Sequence, residues 1–390
     1  MYQYRLDRVQ QELVQRGIDA LITCDPVNTR YATGIRNMQV WAFHSIIRLG
    51  LIPAQGKAIV FEYAGSEHLA KGLETIEYVV PSIPLHFGPG LSQEQKEEKL
   101  RQWTTLVVSE LKKLGIASGG RLALDNQMSY TAGQALANNG YDIENGYGVL
   151  AAAQSIKNED EIRAMYRSVQ VAEIGIERLE QKICPGISEN ELWAELNAAN
   201  IEYGGEYMDT RLLSSGPRTN PWYQECSDRQ IENGDLVALD TDMIGPYGYD
   251  ADISRTFFCG SGAASAAQKE CYKVAYDHVQ HNLNLLKPGM TFKELSEKAF
   301  QVPEKYRAQS IDMNWHGVSL YGGWPTILGR GCFNSDSEDG EVVPGMTLCV
   351  ESYCGEVGGR DGVKLEEQVL ITEDGIRLFS QYPFDSKLLS

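Results

Sequence analysis

The spacing of apolar positions changes character along the chain. Within residues 1–17, Leu6, Val9 and Leu13 recur at three- and four-residue intervals, the spacing of one helix face. Short apolar runs then alternate with helical stretches. Strands are predicted at 19–24, 46–52, 57–63, 78–80 and 121–124, helices at 66–72 and 93–114, and a turn at Asp25-Pro-Val-Asn28. Strands alternating with helices describe an α/β domain with a parallel or mixed sheet. Beyond Ala151 the pattern becomes one long charged helix over 157–184, which divides the chain into domains at 1–150 and 151–390.

After that helix the pattern echoes itself. One helix runs into Ile183-Cys-Pro-Gly-Ile-Ser-Glu-Asn-Glu-Leu192, and a later one runs into Leu286-Lys-Pro-Gly-Met-Thr-Phe-Lys-Glu-Leu295. In both, Pro-Gly stops a helix, Ser188 or Thr291 opens the next, and Glu191 or Glu294 follows at capping-box spacing. Downstream, Gly234-Asp-Leu-Val-Ala-Leu-Asp240 and Gly345-Met-Thr-Leu-Cys-Val-Glu351 each end an apolar strand on an acid. A second strand with its own acid follows each, at Asp252 and at Glu366. Matched features in the same order point to an internal duplication rather than to coincidence.

Composition narrows the function classes. At 43% hydrophobic and 23% charged residues the chain is ordinary globular protein, and 390 residues exceed what one core usually carries. Asp and Glu outnumber Lys and Arg 53 to 35, and a formal charge of −18 repels phosphate backbones and anionic lipid. Neither nucleic acid nor a membrane is therefore an expected partner. No apolar run approaches the ~20 residues of a transmembrane helix, and the first residues read as an amphipathic helix rather than a signal peptide. Eight scattered cysteines without a CxxC read as reduced thiols, which places the protein in the cytoplasm.

The acids at the strand ends carry the chemistry. Asp240 and Asp242 lie two apart, on one face if the strand continues through both. Carboxylates crowded on an apolar strand repel one another unless a cation neutralises them. If the two halves pack about a pseudo-twofold axis, Asp240, Asp242 and Asp252 face Glu351 and Glu366, with His316 between the halves. Five carboxylates and one imidazole suit two divalent ions of the Mn, Fe, Co or Zn type. Five unrelated surface acids are the ordinary alternative, and the repeat speaks against it.

The ordered set Asp240, Asp252-Ile-Ser-Arg-Thr256, His316-Gly-Val318, Glu351 and Glu366 in Lys364-Leu-Glu-Glu-Gln-Val369 resembles the pita-bread metalloenzymes. That family holds methionine aminopeptidase, aminopeptidase P, prolidase and creatinase. Asp25-Pro-Val-Asn-Thr-Arg-Tyr-Ala-Thr-Gly34 resembles the N-terminal domain of creatinase and prolidase. The resemblance implies an α+β pita-bread catalytic domain, duplicated about a pseudo-twofold axis and preceded by an α/β creatinase-like N-terminal domain. It implies two divalent metal ions (Fe, Mn, Zn or Co) on Asp240, Asp242, Asp252, His316, Glu351 and Glu366. It also implies a small-molecule substrate and a cytoplasmic homodimer in which the N-terminal domain, with Trp41, caps the partner's site.

Peptidases of this family carry a His before the first ligand strand and a His-Glu pair soon after the metal-binding His. Here those stretches read Ser215-Gly-Pro-Arg-Thr-Asn-Pro-Trp-Tyr-Gln224 and His316-Gly-Val-Ser-Leu-Tyr-Gly-Gly-Trp-Pro325, so the groups that shuttle a peptidase's proton are missing. Arg211 to Cys226, Asn37-Met-Gln-Val-Trp41, Asp240-Thr-Asp242 and Tyr382-Pro-Phe-Asp385 are instead similar to the branch that eliminates dimethyl sulfide from dimethylsulfoniopropionate. This implies a dinuclear-metal lyase removing a β-leaving group from a small cationic or zwitterionic carboxylate. An Xaa-Pro peptidase or other small-amide hydrolase, and a catalytically impaired metal-binding homologue, are the alternatives. The lyases place a base Asp six residues after the metal-binding His, where this chain has Gly322. The substitutes are a metal-bound hydroxide, favoured because it needs no further residue, Tyr321 and Asp242.

Trp41, Trp222, Tyr223, Trp315 and Trp324 lie in or near these motifs, and their ring faces suit an onium head. Core or interface packing is an equally weighted role for them. His278 and His281, beside Asp277 and Gln280, read as a solvated helix face. Cys226, Cys259, Cys332 and Cys349 lack a partnered histidine in sequence and are not expected to be nucleophiles.

Overall fold

In the computed structural model, which describes residues 1–85 and 90–390, the opening amphipathic stretch folds as α1 (Tyr2–Arg16) with Leu6, Val9 and Leu13 buried. Gly17 closes it at φ 67°, the left-handed cap that glycine adopts without strain. The chain divides into two units, Met1–Gln154 and Ser155–Ser390.

In the first unit β1 (Ala20–Thr23) is followed by α2 (Pro26–Thr33), α3 (Gln39–Ala42), β2 (Leu49–Pro53), β3 (Ala58–Glu62) and β4 (Ile76–Pro81). Then come α4 (Gln93–Lys113), β5 (Arg121–Leu124), α5 (Tyr130–Asn138), β6 (Asp142–Asn145) and α6 (Tyr147–Ser155). The sheet order is β4-β3-β2-β1-β5-β6, mixed because β1 runs antiparallel to β2 but parallel to β5. The predicted turn at Asp25 is instead the start of α2. Asp25 accepts from the Val27 and Asn28 amides at 2.8 and 2.9 Å and Pro26 takes the first helical position, so the turn-forming residues serve as a cap. The helix expected over 66–72 shrinks to a single 3₁₀ turn, Glu67–Ala70.

The second unit begins with α7 (Glu159–Lys182), α8 (Glu189–Glu202), β7 (Tyr207–Met208), β8 (Leu213–Ser215), β9 (Leu236–Asp240), β10 (Met243–Ile244), β11 (Asp250–Ala251) and β12 (Ser254–Phe258). It continues with α9 (Ala266–Leu285), α10 (Phe292–Lys298), α11 (Glu304–Arg307), β13 (Met313–Val318), β14 (Gly322–Leu328), β15 (Thr347–Gly355), β16 (Gly362–Thr372), β17 (Gly375–Leu378) and α12 (Ser386–Leu389). Two sheets position the acids, β12-β9-β8 and β14-β13-β15-β16-β17. The core lies between the larger sheet and α9, where Tyr272, Ala275 and Val279 meet Leu348, Val350 and Leu365.

The duplication is visible in the backbone. The Gly186 amide donates to Ile231 O at 2.8 Å and the Gly289 amide to Val342 O at 2.8 Å, with φ of 94° and 89°. Ser188 and Thr291 both complete capping boxes, and each forms an isolated antiparallel bridge to a later loop residue, Gln230 and Glu341. The two ligand hairpins match as well, since Asp240 pairs with Ser254 and Glu351 with Glu366. Thr256 joins them through its hydroxyl, which donates to Lys364 O at 2.9 Å and accepts from Lys364 N at 3.1 Å.

Only the first half carries a buried anchor at this point. Glu189 is fully buried and accepts from the amides and hydroxyls of Ser215 and Ser227 at 2.7 to 3.0 Å, beside Arg218. This carboxylate ties the start of α8 to the loop before β9. Glu189→Ala leaves the buried amides of Ser215 and Ser227 without this acceptor and removes the ion pair to Arg218, and breaking a buried pair costs up to ~3–5 kcal/mol. The melting temperature should fall by several degrees, whereas Ser188→Ala, losing only a cap, should cost ~1 kcal/mol. Equal effects from the two variants would contradict this account of Glu189.

Candidate metal centre

β9 is buried throughout and delivers Asp240 at its end. Asp240 Oδ1 accepts from Ser254 Oγ at 2.8 Å, and Oδ2 lies 2.9 Å from Lys364 Nζ. Asp242 does not continue the strand as the shared-face reading required. It turns away at φ 35°, and its Oδ2 accepts from the Thr210 hydroxyl. The turn still returns its carboxylate to the cluster, because donor atoms of Asp240, Asp242 and Asp252 lie within 4.8 Å of one another. Asp252, between β11 and β12, is held by its amide donating to Gln368 Oε1 at 3.0 Å. Its Oδ2 lies 3.5 Å from His316 Nε2, while its Oδ1 has no hydrogen-bond partner although the residue is 3% exposed.

From the second half, β13 supplies His316, β15 Glu351 and β16 Glu366. His316 Nδ1 lies 3.1 Å from Gly317 O, which sets Nδ1 as the donor and turns Nε2 inward. Nε2 is 3.3 Å from Glu366 Oε1 and 3.8 Å from Glu351 Oε1. Lys364 Nζ grips the far oxygens, 3.1 Å from Glu351 Oε2 and 2.7 Å from Glu366 Oε2.

An imidazole lone pair facing three carboxylates is repulsive without a cation. Burial alone would lower the His316 pKa, yet the hydrogen bond to Glu366 and the charge of Glu351 lift it to about 9. Burial, then the charge of Asp240, raises Asp242 to about 7. Burial raises Asp240, Asp252 and Glu351 as well, reinforced in each by Glu366. Glu366 alone is held low, where burial is outweighed by Lys364 and His316. Five carboxylates against one ammonium leave the charge of two divalent cations to be supplied. The oxygen and nitrogen donors, and the partnerless Asp252 Oδ1, fit such ions.

Comparison with known proteins agrees with this geometry. The family model described as metallopeptidase family M24 matches residues 163–373, and that of the creatinase/prolidase N-terminal domain matches 5–145. The chain belongs to metallopeptidase family M24. Among M24 relatives, dimethylsulfoniopropionate lyase DddP of Roseovarius nubinhibens is 37% identical over all of this chain and 87% of its own length. The Xaa-Pro dipeptidase of Pyrococcus furiosus is 30% identical over 59% of this chain and 64% of its own. In fold, the chain is similar to an Xaa-Pro dipeptidase from Bacillus anthracis, with a TM-score of 0.78 at 22% identity over 99% of both chains.

The aromatic residues of this M24 chain do not gather as one box. Trp315 is fully buried in the core with α9 residues, and Trp324 packs against the same core, 5.7 Å from the Phe292 ring centroid. Both fill space in the core beside α9 and α10. Trp222 is buried and stacks on Tyr353 at 5.9 Å. Tyr223 differs: it is 68% exposed at φ 69°. Its phenol pKa is raised by partial burial and by the charge of Glu351, against Lys364 and with Asp240 and Glu366, so the phenol lies within reach of the cluster's charge. Tyr321 is half-buried, next to the bare backbone of Gly322 and Gly323. Trp41 lies in the first unit, on α3, and is 58% exposed.

Two groups, Lys364 and Asp250, escaped the sequence reading, and a third, Cys349, is weighed there only as a nucleophile. Lys364 stands two before Glu366 on one strand face, an alternation that could have revealed it. Asp250, two before Asp252, is buried with Oδ1 partnerless, and burial and Asp242 raise its pKa. Cys349, two before Glu351, is the cross-strand partner of His316. Conversely, His278 is not on a solvated face. It is 1% exposed, between Ser352 Oγ at 2.9 Å and Asn314 Oδ1 at 3.2 Å, and burial lowers its pKa to about 4.

Asp252→Ala and Glu366→Ala should each lower the bound metal found by elemental analysis while the circular dichroism spectrum stays near wild type. Full metal content in both variants would sink the ligand assignment. The metal-free chain should also show a pH signature. A raised folded pKa means the folded state keeps a proton the unfolded chain has released, so stability falls as pH rises through that interval. For Asp242 the interval runs from 3.8 to about 7, and for His316 from 6.5 to about 9. After chelation, Asp242→Asn should therefore gain melting temperature over wild type as pH rises from 4 to about 7. A constant difference between the two across that range would contradict it.

Proposed function

We propose that this M24 chain is a metal-dependent lyase that removes a β-leaving group from a small onium carboxylate of the dimethylsulfoniopropionate type. The identity of 37% to a lyase of that name, sustained over the whole chain, carries this reading. Gly323 and Trp324, which take the places of the peptidases' His-Glu pair, favour it over hydrolysis. The proposal includes a small-molecule substrate, a cytoplasmic location and a homodimer. Among the described residues, no helix is long and apolar enough to cross a membrane.

Asp240, Asp242, Asp252, His316, Glu351 and Glu366 would hold the two ions. When bound, the ions supply Lewis-acid chemistry, binding a substrate carboxylate and acidifying its α-carbon. Lys364 keeps the outer oxygens of Asp240, Glu351 and Glu366 fixed while the inner ones face the site. Tyr223 offers a ring face to a sulfonium head at the exposed mouth. Of the chain's own groups, Asp242, if metal holds it only loosely, and Tyr321 are the candidates to take the α-proton. The C–H electron pair becomes the new double bond, the C–S bond breaks, and a neutral sulfide leaves with an unsaturated acid as co-product.

A base at position 322 has room. A Cβ on Gly322 would sit 3.7 Å from His316 Nδ1, an ordinary contact beside the metal-binding imidazole. Headspace detection of dimethyl sulfide should find slow turnover in the natural chain and faster turnover in Gly322→Asp, by up to ~10²–10⁴-fold, the usual worth of a placed acid–base group. Amine release from Xaa-Pro dipeptides, with no sulfide from either protein, would overturn the lyase reading in favour of a hydrolase.

A further inference from the structure

Cys349 precedes Glu351 by two residues on β15, so both side chains leave the strand on one face. Across the ladder it pairs with His316 on one side and Gln368 on the other. It is fully buried, and its Sγ lies 3.8 Å from Asp252 O. That Sγ, a His316 ring nitrogen and carboxylate oxygens of Asp252 and Glu366 all lie within 4.8 Å of one another. Asp252 belongs to this group, and its Oδ1 is buried without a hydrogen-bond partner among the described residues. A buried carboxylate oxygen without a partner is costly, and a cation set among these four donors would satisfy it.

Resting on the metal-centre reading above, we propose that Cys349 is a ligand, alongside Asp252, His316 and Glu366, to one of the two ions. The thiol proton leaves to solvent as the metal–sulfur bond forms, as for any cysteine ligand. A soft sulfur donor among harder oxygens changes what the position selects. Thiolate and imidazole favour Zn²⁺, Co²⁺ and Fe²⁺, whereas an all-carboxylate set suits Mn²⁺ or Mg²⁺. The two positions of the centre then differ in kind. One is built from Asp240, Asp242 and shared carboxylates, and the other has a sulfur at its back.

A purely space-filling cysteine would leave no trace in the spectrum of a bound metal, so the full-length protein loaded with Co²⁺ separates the roles. At a cobalt content fixed by elemental analysis, the wild type should show a near-ultraviolet sulfur-to-cobalt charge-transfer band. Cys349→Ser at the same cobalt content should lack it. The preference for zinc over manganese in competition should fall in that variant by about tenfold or more, the scale on which a lost group at a metal site is felt. Cobalt bound without the band, or a band that survives Cys349→Ser, overturns the proposal and leaves the metal centre standing. A protein that binds no cobalt overturns both.

Discussion

Like charges forced together out of water govern this molecule. Asp240, Asp252, Glu351 and Glu366 are each at most 6% exposed, and each arrives on or beside a strand buried almost along its whole length. Burial of that kind opposes folding unless positive charge is present at the same place. Every other feature of the second unit answers to this demand. The strands hold the acids at fixed spacing, His316 turns its free nitrogen toward them, and Lys364 supplies one permanent positive charge.

Duplication is how the fold meets it. A single helix-stop-strand unit brings one acid to a strand end, and two such units, joined by Thr256 and Lys364, bring the acids face to face. The equivalent backbone bonds at Gly186 and Gly289 fix the entry of each half in the same way. The halves then diverge. The first is anchored by the buried Glu189, and the second by core packing of α9 and α10 on the larger sheet.

Much of this was legible in the sequence, and the failures have physical causes. Alternating apolar strands with terminal acids, and Pro-Gly followed by a capping box, are local signals that survive tertiary context. The acids could be gathered because strand periodicity reports which residues share a face. That logic stopped at Asp242, whose left-handed backbone ends β9 before it. The aromatic residues misled because an aromatic ring serves a core as readily as a cation. Trp315 and Trp324 went to the core beneath α9 and α10, and only Tyr223 stayed at the surface within reach of the acids' charge. His278 misled in the other direction. Its polar neighbours on α9 suggested water, but its own face of the helix meets Ser352 and Asn314 on the ligand-bearing sheet. Lys364 went unread because an isolated lysine in a strand rarely signals a buried partner.

That lysine changes who supplies the cluster's counter-charge. Bridging three of the acids, it sets one positive charge among them that belongs to the polypeptide itself. Only the remainder of the acids' charge is left for ions to balance, so the site is shared between what the sequence encodes and what it must acquire.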